Sequence, residues 1–384
     1  MKKRVFMIVL DSVGVGALPD WRDYDTEPGN TLGNTAEAVG GLAMPHCQKL
    51  GLGNILPLKG VAPAENPLAA YGKAPLTTCG KDTTAGHWEM MGIVLEQSFP
   101  VFPEGFPAAF VAELEAAFGH GILCNLPYSG TAAIEDFGEE HMATKKPIVY
   151  TSADSVLQIA CHEDVYPIEE LYDLCKKARE LAKGPYGVGR VIARPFVGEP
   201  HRFERTKNRK DFSILPPRPN YLTALEEAGI KTFGVGKIGD IFAMEGIGTS
   251  LPVKGNPLCL EETLRLLDTE EEGFFFVNLV DFDMLYGHRN DAAGYAKALA
   301  DFDAALGQIL PKLKEDDLLI ITADHGNDPT TPSSDHNREY VPVLILGDEA
   351  KNFGTMATMA DIGATVYHGL TGKTLSDIPG EPVL

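Results

Sequence analysis

The sequence lacks the cysteine patterns of a disulfide framework or a thiolate metal site. Its 384 residues include six cysteines, scattered along the chain without a CxxC pair. Disulfide-stabilised small domains and structural zinc sites both use characteristic cysteine spacings. We therefore expect free or buried thiols in a reducing compartment, and the protein is predicted to be cytoplasmic.

Long apolar runs are also missing. Residues 5–10 follow Lys2, Lys3 and Arg4, as in a signal peptide, but this apolar run is too short for a secretory segment. No other run approaches the roughly 18 apolar residues that a membrane span needs. The sequence predicts no association with a membrane.

Positive charge is scarce. Lysine and arginine total 33 against 54 aspartate and glutamate residues, which gives a formal net charge of -21. Nucleic-acid binding requires positive surface, so this balance argues against it. Residues 176–210 differ, because they contain 11 of the 33 basic side chains. We expect this region to bind a small anion, with Arg190 and Arg194 able to fork onto a phosphate.

Length and proline distribution predict two domains. The chain is longer than one hydrophobic core usually accommodates. Proline-dense stretches at residues 99–107 and 215–219 are typical of crossings between domains. We predict an α/β core domain of residues 1–99 and 217–384, with a mostly parallel sheet flanked by helices. Residues 100–216 are predicted to form a smaller inserted α/β cap domain.

Three apolar segments of strand length end in carboxylates. They are residues 5–10 before Asp11, residues 274–280 before Asp281 and Asp283, and residues 318–323 before Asp324. His288 follows the second segment, and His325 and His336 follow the third. Such segments are typical of strands buried on both faces of a parallel sheet, and ligands bind beyond the carboxyl ends of those strands. We therefore expect these side chains to converge.

Converging carboxylates repel one another, and bound divalent cations remove that cost. Six oxygen and nitrogen ligands are more than one catalytic ion with open positions takes, so the set predicts two ions. Mixed Asp/His ligation without thiolate favours Mn²⁺ or Zn²⁺ over calcium. The pattern leaves open whether Asp281 or Asp283 contributes, because residues two apart share a face of a strand.

A hydroxyl-rich turn supplies the second part of the predicted site. Residues 79–92 read CGKDTTAGHWEMMG, with Thr83 and Thr84 just before a segment of helical character. A helix N-terminus there would favour an anion, and a metal or base would make a hydroxyl nucleophilic. The structural alternative is a threonine that only caps the helix. Cys79 is a rival nucleophile.

Residues 234–239 spell GxGxxG, a weak match to the dinucleotide-binding fingerprint. The fingerprint needs an acidic residue at the end of the next strand, and here the next predicted strand is far away. We interpret the segment as a tight turn that presents Lys237.

Segments spread over the whole chain carry a further signal. They read VLDSVGVG, GKDTTAGHWEMMG, FPEGFP, YTSADSVLQIA, VGRVIARPFVGEP, GKIGDIF, NLVDFDMLYGHRND, and ITADHGNDP followed by DHNREYVP. Together they resemble the bacterial phosphopentomutases of the alkaline phosphatase superfamily. They separate this family from cofactor-independent phosphoglycerate mutases, whose nucleophile is serine. One departure is Ala85, where relatives usually have threonine, and it concerns a local polar contact.

The resemblance implies an alkaline-phosphatase-like core and reversible interconversion of ribose 1-phosphate and ribose 5-phosphate, and of the deoxyribose pair. It implies two Mn²⁺ ions, a phosphothreonine at Thr83, a pentose bisphosphate intermediate and a sugar bisphosphate activator. The implied metal ligands are Asp11, Asp283, His288, Asp324, His325 and His336. The implied contacts to pentose phosphate are Ser152, Asp154, Arg190 and Lys237. In this family, therefore, Asp283 and Thr83 are the functional members of their pairs.

Two other functions remain open on the sequence. A metal-dependent phosphatase or phosphodiesterase of the same superfamily would share the metals but release inorganic phosphate. A non-catalytic sugar-phosphate-binding protein would use the basic region but gain nothing from six metal ligands.

Overall fold

The computed structural model describes residues 1–24, 26–152 and 155–384. These residues form two compact units, one of Met1–Gln97 with Pro216–Leu384 and the other of Ser98–Leu215. Asp154, a predicted substrate-binding residue, lies outside the described residues. That the second unit acts as a cap stays a prediction.

Strands and helices alternate along most of the described chain. The strands are β1 (Arg4–Leu10), β2 (Ala70–Ala74), β3 (Leu123–Pro127), β4 (Ile148–Thr151), β5 (Val156–His162), β6 (Arg190–Val197), β7 (Glu204–Arg205), β8 (Lys210–Ser213), β9 (Thr232–Val235), β10 (Thr249–Leu251), β11 (Gly273–Leu279), β12 (Asp317–Thr322), β13 (Val341–Leu346) and β14 (Asn352–Thr355). The α-helices are α1 (Thr31–Ala38), α2 (Pro45–Leu50), α3 (Leu52–Ile55), α4 (Thr83–Met90), α5 (Ala108–Phe118), α6 (Gly130–Thr144), α7 (Ile168–Leu181), α8 (Tyr221–Glu227), α9 (Ile238–Ile241), α10 (Asn256–Leu267), α11 (Ala292–Ile309) and α12 (Ala360–Thr371). A π-helical turn spans Phe282–Tyr286. Within the described ranges, no helix has both the length and the apolar composition to cross a membrane.

The first unit is organised around a sheet whose described strands have the order β10-β9-β11-β1-β12-β13-β2-β14. Only β13 runs against its neighbours in this sheet as described, which confirms the prediction of a mostly parallel sheet. The three predicted buried strands, β11, β1 and β12, lie side by side at its centre. Every residue of these strands is buried, so their continuous apolar sequences have a direct structural cause.

One strand near the edge of this sheet has no clear signal in the sequence. It is β2, which pairs with β13 and β14. Its sequence, AYGKA, has low strand propensity. Gly72 lies so close to the Phe353 ring and the Gly354 carbonyl that a Cβ would clash with both. This strand therefore depends on tertiary pairing that local propensity does not reveal.

The second unit is a smaller α/β sandwich. Its sheet has the order β3-β4-β5-β6-β7, and β8 also pairs with β6. Apolar residues of α5 and α7 pack on one face of the sheet, and those of α6 pack on the other. The buried face of α7 carries Leu171, Leu174, Cys175 and Ala178, and β6 pairs in parallel with the whole of β5.

Candidate metal centre and nucleophile

The acidic residues predicted to converge follow the central strands of the first unit. Asp11 comes directly after β1, and Asp324 follows β12 with one residue, Ala323, between them. Asp283 lies in the π-helical turn that comes shortly after β11. Because β1 runs parallel to both β11 and β12, these residues meet at one edge of the sheet.

The side chains form two overlapping groups. Asp11, Asp324 and His325 bring potential ligand atoms within 4.8 Å of one another, and Asp283, His325 and His336 do the same. His325 Nε2 lies 3.4 Å from Asp11 Oδ1 and 3.5 Å from Asp324 Oδ2. The shared His325 therefore joins the two groups into one cluster.

His288 completes the second group. Its Nε2 lies 3.1 Å from Asp283 Oδ2 and 3.2 Å from His336 Nε2, and His336 Nε2 lies 3.1 Å from Asp283 Oδ1. The structure thus brings together all six residues that the family resemblance assigned as ligands. Their role as ligands stays a prediction.

Thr83 faces this cluster from the first turn of α4. Its Oγ1 lies 3.3 Å from His325 Nε2 and 3.5 Å from Asp11 Oδ1. The helix is capped by Asp82, whose carboxylate accepts hydrogen bonds from the backbone N–H groups of Thr84 and Ala85. The alternative of a threonine N-cap is therefore wrong, and the Thr83 hydroxyl is available for chemistry.

Asp281 and Asp283 have different surroundings. Asp281 Oδ2 accepts a hydrogen bond from the Asn256 backbone N–H at the start of α10, at 2.7 Å, and Asn256 Oδ1 accepts one from the Asp281 N–H. Asp283 instead faces the histidines. The strand rule failed to separate the two because β11 ends at Leu279 and both aspartates lie beyond it, around a π-helical turn, a feature often found at functional sites.

The cluster shifts the pKa values of its carboxylates in opposite directions. Burial raises the pKa of Asp11, and the charge of Asp324 raises it further. Burial alone would also raise the pKa of Asp283, but His336 and His288 outweigh it and hold this pKa well below its usual range. Burial would likewise raise the pKa of Asp324, but His325 and His87 outweigh burial and leave this pKa lowered. Asp11 is thus the carboxylate whose charge the protein alone stabilises least.

The histidines show the complementary shifts. The hydrogen bond to Asp283 raises the pKa of His288 to about 9. Burial would lower the pKa of His325, but Asp324 and Asp11 outweigh burial and raise it well above its usual value. In the metal-free protein, protons on these rings therefore offset part of the negative charge of the carboxylates. Bound cations would offset it more completely.

The donor set fits divalent cations. Over the described chain, the ion pairs of Asp11, Asp283 and Asp324 are formed with histidines alone. Asp324 Oδ2 is buried and accepts no well-aligned hydrogen bond from the described residues, although the His87 and His325 rings lie 3.1 and 3.5 Å away. Buried polar atoms without partners are rare and often mark a site for an ion. Carboxylate and imidazole ligands suit Mn²⁺ or Zn²⁺.

Backbone and amide groups hold the carboxylates in place. Ser12 N and His325 N both donate to Asp324 Oδ1, at 2.9 and 3.1 Å. Asn327 Nδ2 donates to Asp283 Oδ1 at 2.8 Å. Sequence reasoning did not single out Ser12 or Asn327, although both lie in segments that carry the family resemblance. Their only signal in one sequence is their closeness to a strand end.

The segment that carries His336 also supports the nucleophile turn. Arg338 is buried and donates to the carbonyls of Thr78 and Gly80, at 2.9 and 2.6 Å. Lys81 Nζ lies 2.6 Å from Asp335 Oδ2. Residues 335–340 therefore connect one candidate ligand with the turn that leads into Thr83.

Glu339, in the same segment, is a fully buried carboxylate. It accepts hydrogen bonds from the Gly16 and Thr31 backbone N–H groups and from the Thr31 hydroxyl. Burial raises its pKa to about 7 despite these three donors. A Cβ on Gly14 or Gly326 would overlap its side chain, so Glu339 packs against the backbone that follows both β1 and β12.

The remaining predicted residues are spread over both units. Ser152 follows β4 and is partly buried, and Arg190 begins β6 and lies 3.5 Å from Asp211. Lys237 belongs to the first unit and is exposed between Gly236, with φ +78°, and the short helix α9. The tight turn expected in the GxGxxG segment is therefore present. Cys79 is half-buried ahead of the turn.

Comparisons with known proteins show which family the chain resembles along its length. Residues 3–373 match the family model of the metalloenzyme superfamily. A phosphopentomutase from Caldanaerobacter subterraneus subsp. tengcongensis is 54% identical, and the match covers 95% of this chain and 94% of that protein. A phosphopentomutase from Carboxydothermus hydrogenoformans is 55% identical, with 95% of each chain covered. The PH0037 protein of Pyrococcus horikoshii is similar in fold, with a TM-score of 0.53 at 15% identity, over 98% of this chain and 99% of that one.

Proposed function

The chain belongs to the phosphopentomutase family of isomerases, within the metalloenzyme superfamily, and on this premise we propose that it interconverts ribose 1-phosphate and ribose 5-phosphate, and the 2-deoxyribose pair. Its fold is the α/β fold of the alkaline phosphatase superfamily. The observation that supports the proposal most directly is the Thr83 hydroxyl, 3.3 Å from His325 Nε2 and 3.5 Å from Asp11 Oδ1.

The six clustered residues are the proposed ligands of two divalent cations, with Mn²⁺ as the proposed metal. When bound, such cations lower the pKa of a hydroxyl and neutralise charge on a phosphoryl group. The protein's own contribution is to fix the ligands before the metals arrive. It does so through the N–H donors to Asp324 and the Asn327 amide on Asp283.

Thr83 is proposed to carry the phosphoryl group. In the first half-reaction a hydroxyl oxygen of the pentose monophosphate attacks phosphorus on phosphorylated Thr83, and the bond from phosphorus to Oγ1 breaks. The proton lost by the sugar hydroxyl balances the one that the threonine oxygen gains. The product is a pentose bisphosphate. This intermediate reorients, and Thr83 Oγ1 then takes the other phosphoryl group, which releases the isomeric monophosphate and restores the phosphothreonine.

Positive side chains are proposed to hold the phosphate that does not react. Arg190 can present a planar pair of N–H donors, and Lys237 a flexible ammonium. Ser152 and Asp154 are proposed to contact the sugar. A sugar bisphosphate is the proposed source of the first phosphoryl group on Thr83, and the cytoplasm is the proposed compartment.

Phosphorus NMR of the purified protein with Mn²⁺, a sugar bisphosphate and ribose 1-phosphate tests the proposal. We expect the ribose 5-phosphate resonance to grow until the two monophosphates reach equilibrium. Accumulation of inorganic phosphate would instead identify a hydrolase, and an unchanged spectrum would identify a binding protein. Either result would overturn the proposed function.

A matched pair of threonine variants tests the nucleophile. Thr83→Ala should lower kcat by about a thousandfold or more, because loss of a nucleophile removes the covalent route. Thr84→Ala, at the next position of the same helix turn, should stay within a few-fold of the wild-type protein. If both variants isomerise at the normal rate, Thr83 has no part in the mechanism.

A further inference from the structure

Behind the candidate ligands lies a buried histidine–asparagine pair that the proposed chemistry leaves unused. His87 is on α4, one turn after Thr83, and Asn278 is on β11. Both side chains are fully buried. Neither was singled out as a candidate residue from the sequence.

The pair connects Thr83 with two of the carboxylates. Asn278 Nδ2 donates to Asp11 Oδ2 at 2.8 Å and lies 3.3 Å from His87 Nε2. On the other side of the ring, His87 Nδ1 lies 2.9 Å from the Thr83 carbonyl oxygen and 3.1 Å from Asp324 Oδ2. One imidazole and one amide thus join residues from α4, from the end of β11, and from the segments after β1 and β12.

The contacts determine where the protons lie. The Asn278 amide must turn its NH₂ group toward Asp11. In the reverse orientation Asn278 Oδ1 would face Asp11 Oδ2, and both of these oxygens are acceptors. The same NH₂ group faces His87 Nε2, so this nitrogen is the acceptor of the ring. A ring proton therefore lies on Nδ1, where it is donated to the Thr83 carbonyl. Histidines near metal sites are commonly oriented in this way by the partner of their second nitrogen.

Packing alone does not account for the pair. The His87 ring lies against Phe276, with centroids 5.7 Å apart, and an apolar side chain could make that contact. Burying an amide and an imidazole costs free energy unless every polar atom is paired. Asn278 Oδ1 has no hydrogen-bond partner among the described residues, so part of this cost remains. Burial of the unpaired Asn278 oxygen lowers the stability of the fold, whereas the contacts of the pair hold Asp11 and Thr83 in defined positions.

We propose that His87 and Asn278 are positioning residues that couple the cation held by Asp11 and Asp324 to the placement of Thr83. Asn278 fixes the rotamer of Asp11, and His87 fixes the backbone of the nucleophile beside Asp324. The inference rests on the proposed function for the role of Thr83, but its claim on cation affinity is independent of any sugar substrate. Loss of such supporting contacts typically lowers metal affinity by about 10- to 100-fold.

Titration of the metal-free protein with Mn²⁺ alone, followed by electron paramagnetic resonance of the unbound ion, tests the inference. His87→Leu and Asn278→Leu should each weaken Mn²⁺ binding by about 10- to 100-fold. In His87→Asn the amide nitrogen takes the place of Nδ1 and keeps the donor to Thr83, so affinity should recover to within a few-fold of wild type. Intact mass after incubation with a sugar bisphosphate should show slower phosphorylation of Thr83 in the two leucine variants.

A matched control separates positioning from general stability. His141 is equally buried and also uses both nitrogens, toward the Lys146 carbonyl and the His162 N–H, but it belongs to the second unit. His141→Leu should lower the melting temperature and leave Mn²⁺ affinity unchanged. If His87→Leu does not fold, the Mn²⁺ affinities of Asn278→Leu and of His87→Asn, each compared with that of the wild type, still decide the matter.

The outcomes also separate this inference from the proposed function. Wild-type Mn²⁺ affinity in His87→Leu and Asn278→Leu would overturn the inference even if the protein proved an active mutase. Equal losses in His87→Leu and His87→Asn would overturn the assigned proton on Nδ1 and with it the coupling. Weakened Mn²⁺ binding in a protein that does not isomerise ribose 1-phosphate would support the positioning role while the proposed function failed.

Discussion

The two units handle concentrated charge in opposite ways. In the first unit, three carboxylates meet in the interior, and their ion pairs over the described chain are formed with histidines alone. In the second unit, the basic side chains of the sheet lie at or near the surface. Arg190 has 38% of its side chain exposed and lies 3.5 Å from Asp211, which also pairs with Arg209 at 2.8 Å.

This difference shows which charges the fold must neutralise. A buried excess of negative charge is costly in the metal-free protein, and bound cations relieve it. An exposed excess of positive charge costs little, because water and salt screen it until an anion arrives. The carboxylate cluster is accordingly the place where the fold needs neutralising partners most, and the basic side chains of the second unit already have Asp211 beside them.

The strongest way to break this contrast is to remove one buried charge. Asp11→Asn should lower mutase activity by about a thousandfold or more, because a proposed ligand next to Thr83 is lost. The same change should raise the melting temperature of the metal-free protein by a few degrees. The pKa of Asp11 is raised by burial and by Asp324, so its charge destabilises the folded state near neutral pH. Activity assays and calorimetry without metal measure the two effects.

Asp281→Asn is the matched control for this charge removal. Asp281 is also buried after a central strand, but it caps α10. The variant should lose stability and keep its affinity for Mn²⁺. A metal-free Asp11→Asn protein that melts below the wild type would contradict the interpretation of the cluster as an unneutralised excess of charge.

A smaller effect is expected when the exposed cation is removed. Arg190→Ala should raise the KM for ribose 5-phosphate by about 10- to 100-fold and change kcat less, because it removes the proposed charge-assisted contacts to the non-reacting phosphate. Lys176→Ala, in the same basic region but paired with Asp173 on α7, is the control and should leave KM within twofold. Equal effects of the two variants would point to the general field of the region and against a specific contact.

The smallest predicted effect concerns Glu339, a buried carboxylate outside the cluster. Its folded-state pKa of about 7 lies above the usual 4.5, so the protonated form stabilises the fold. This contribution is fully present below about pH 4.5 and is lost as the pH rises through 7. Between pH 5.5 and 8, the free energy of unfolding of metal-free Glu339→Gln, measured in urea, should rise relative to that of the wild type by about 2 kcal/mol. Exposed Glu37→Gln should show no such change, and a constant difference for Glu339→Gln would refute the shift.

The same contrast explains how much could be predicted from the sequence. Continuous apolar runs identified β1, β11 and β12, because strands covered on both faces need them, and parallel strands bring their carboxyl ends to one edge. The reversed direction of β13 has no local signature, since its sequence is apolar like that of its parallel-sheet neighbour β12.

The parts of the site that escaped prediction depend on local backbone geometry or on distant contacts. The π-helical turn separates Asp281 from Asp283 in a way that strand periodicity cannot express. Asp82 competes successfully with its neighbouring threonines for the helix cap because its carboxylate reaches two N–H groups. Asn278 becomes recognisable only when Asp11, hundreds of residues away, is seen beside it.

The stretch from residue 335 to residue 340 has a consequence for how the protein can vary. It supplies His336, it holds the turn before Thr83 through hydrogen bonds from Arg338, and its Glu339 side chain fills the space beside Gly14. Adding or deleting a single amino acid there would displace His336, Arg338 and Glu339 together and disrupt all three sets of contacts. Insertions in natural relatives, and loops grafted by design, should therefore accumulate on either side of these six positions and spare the positions themselves.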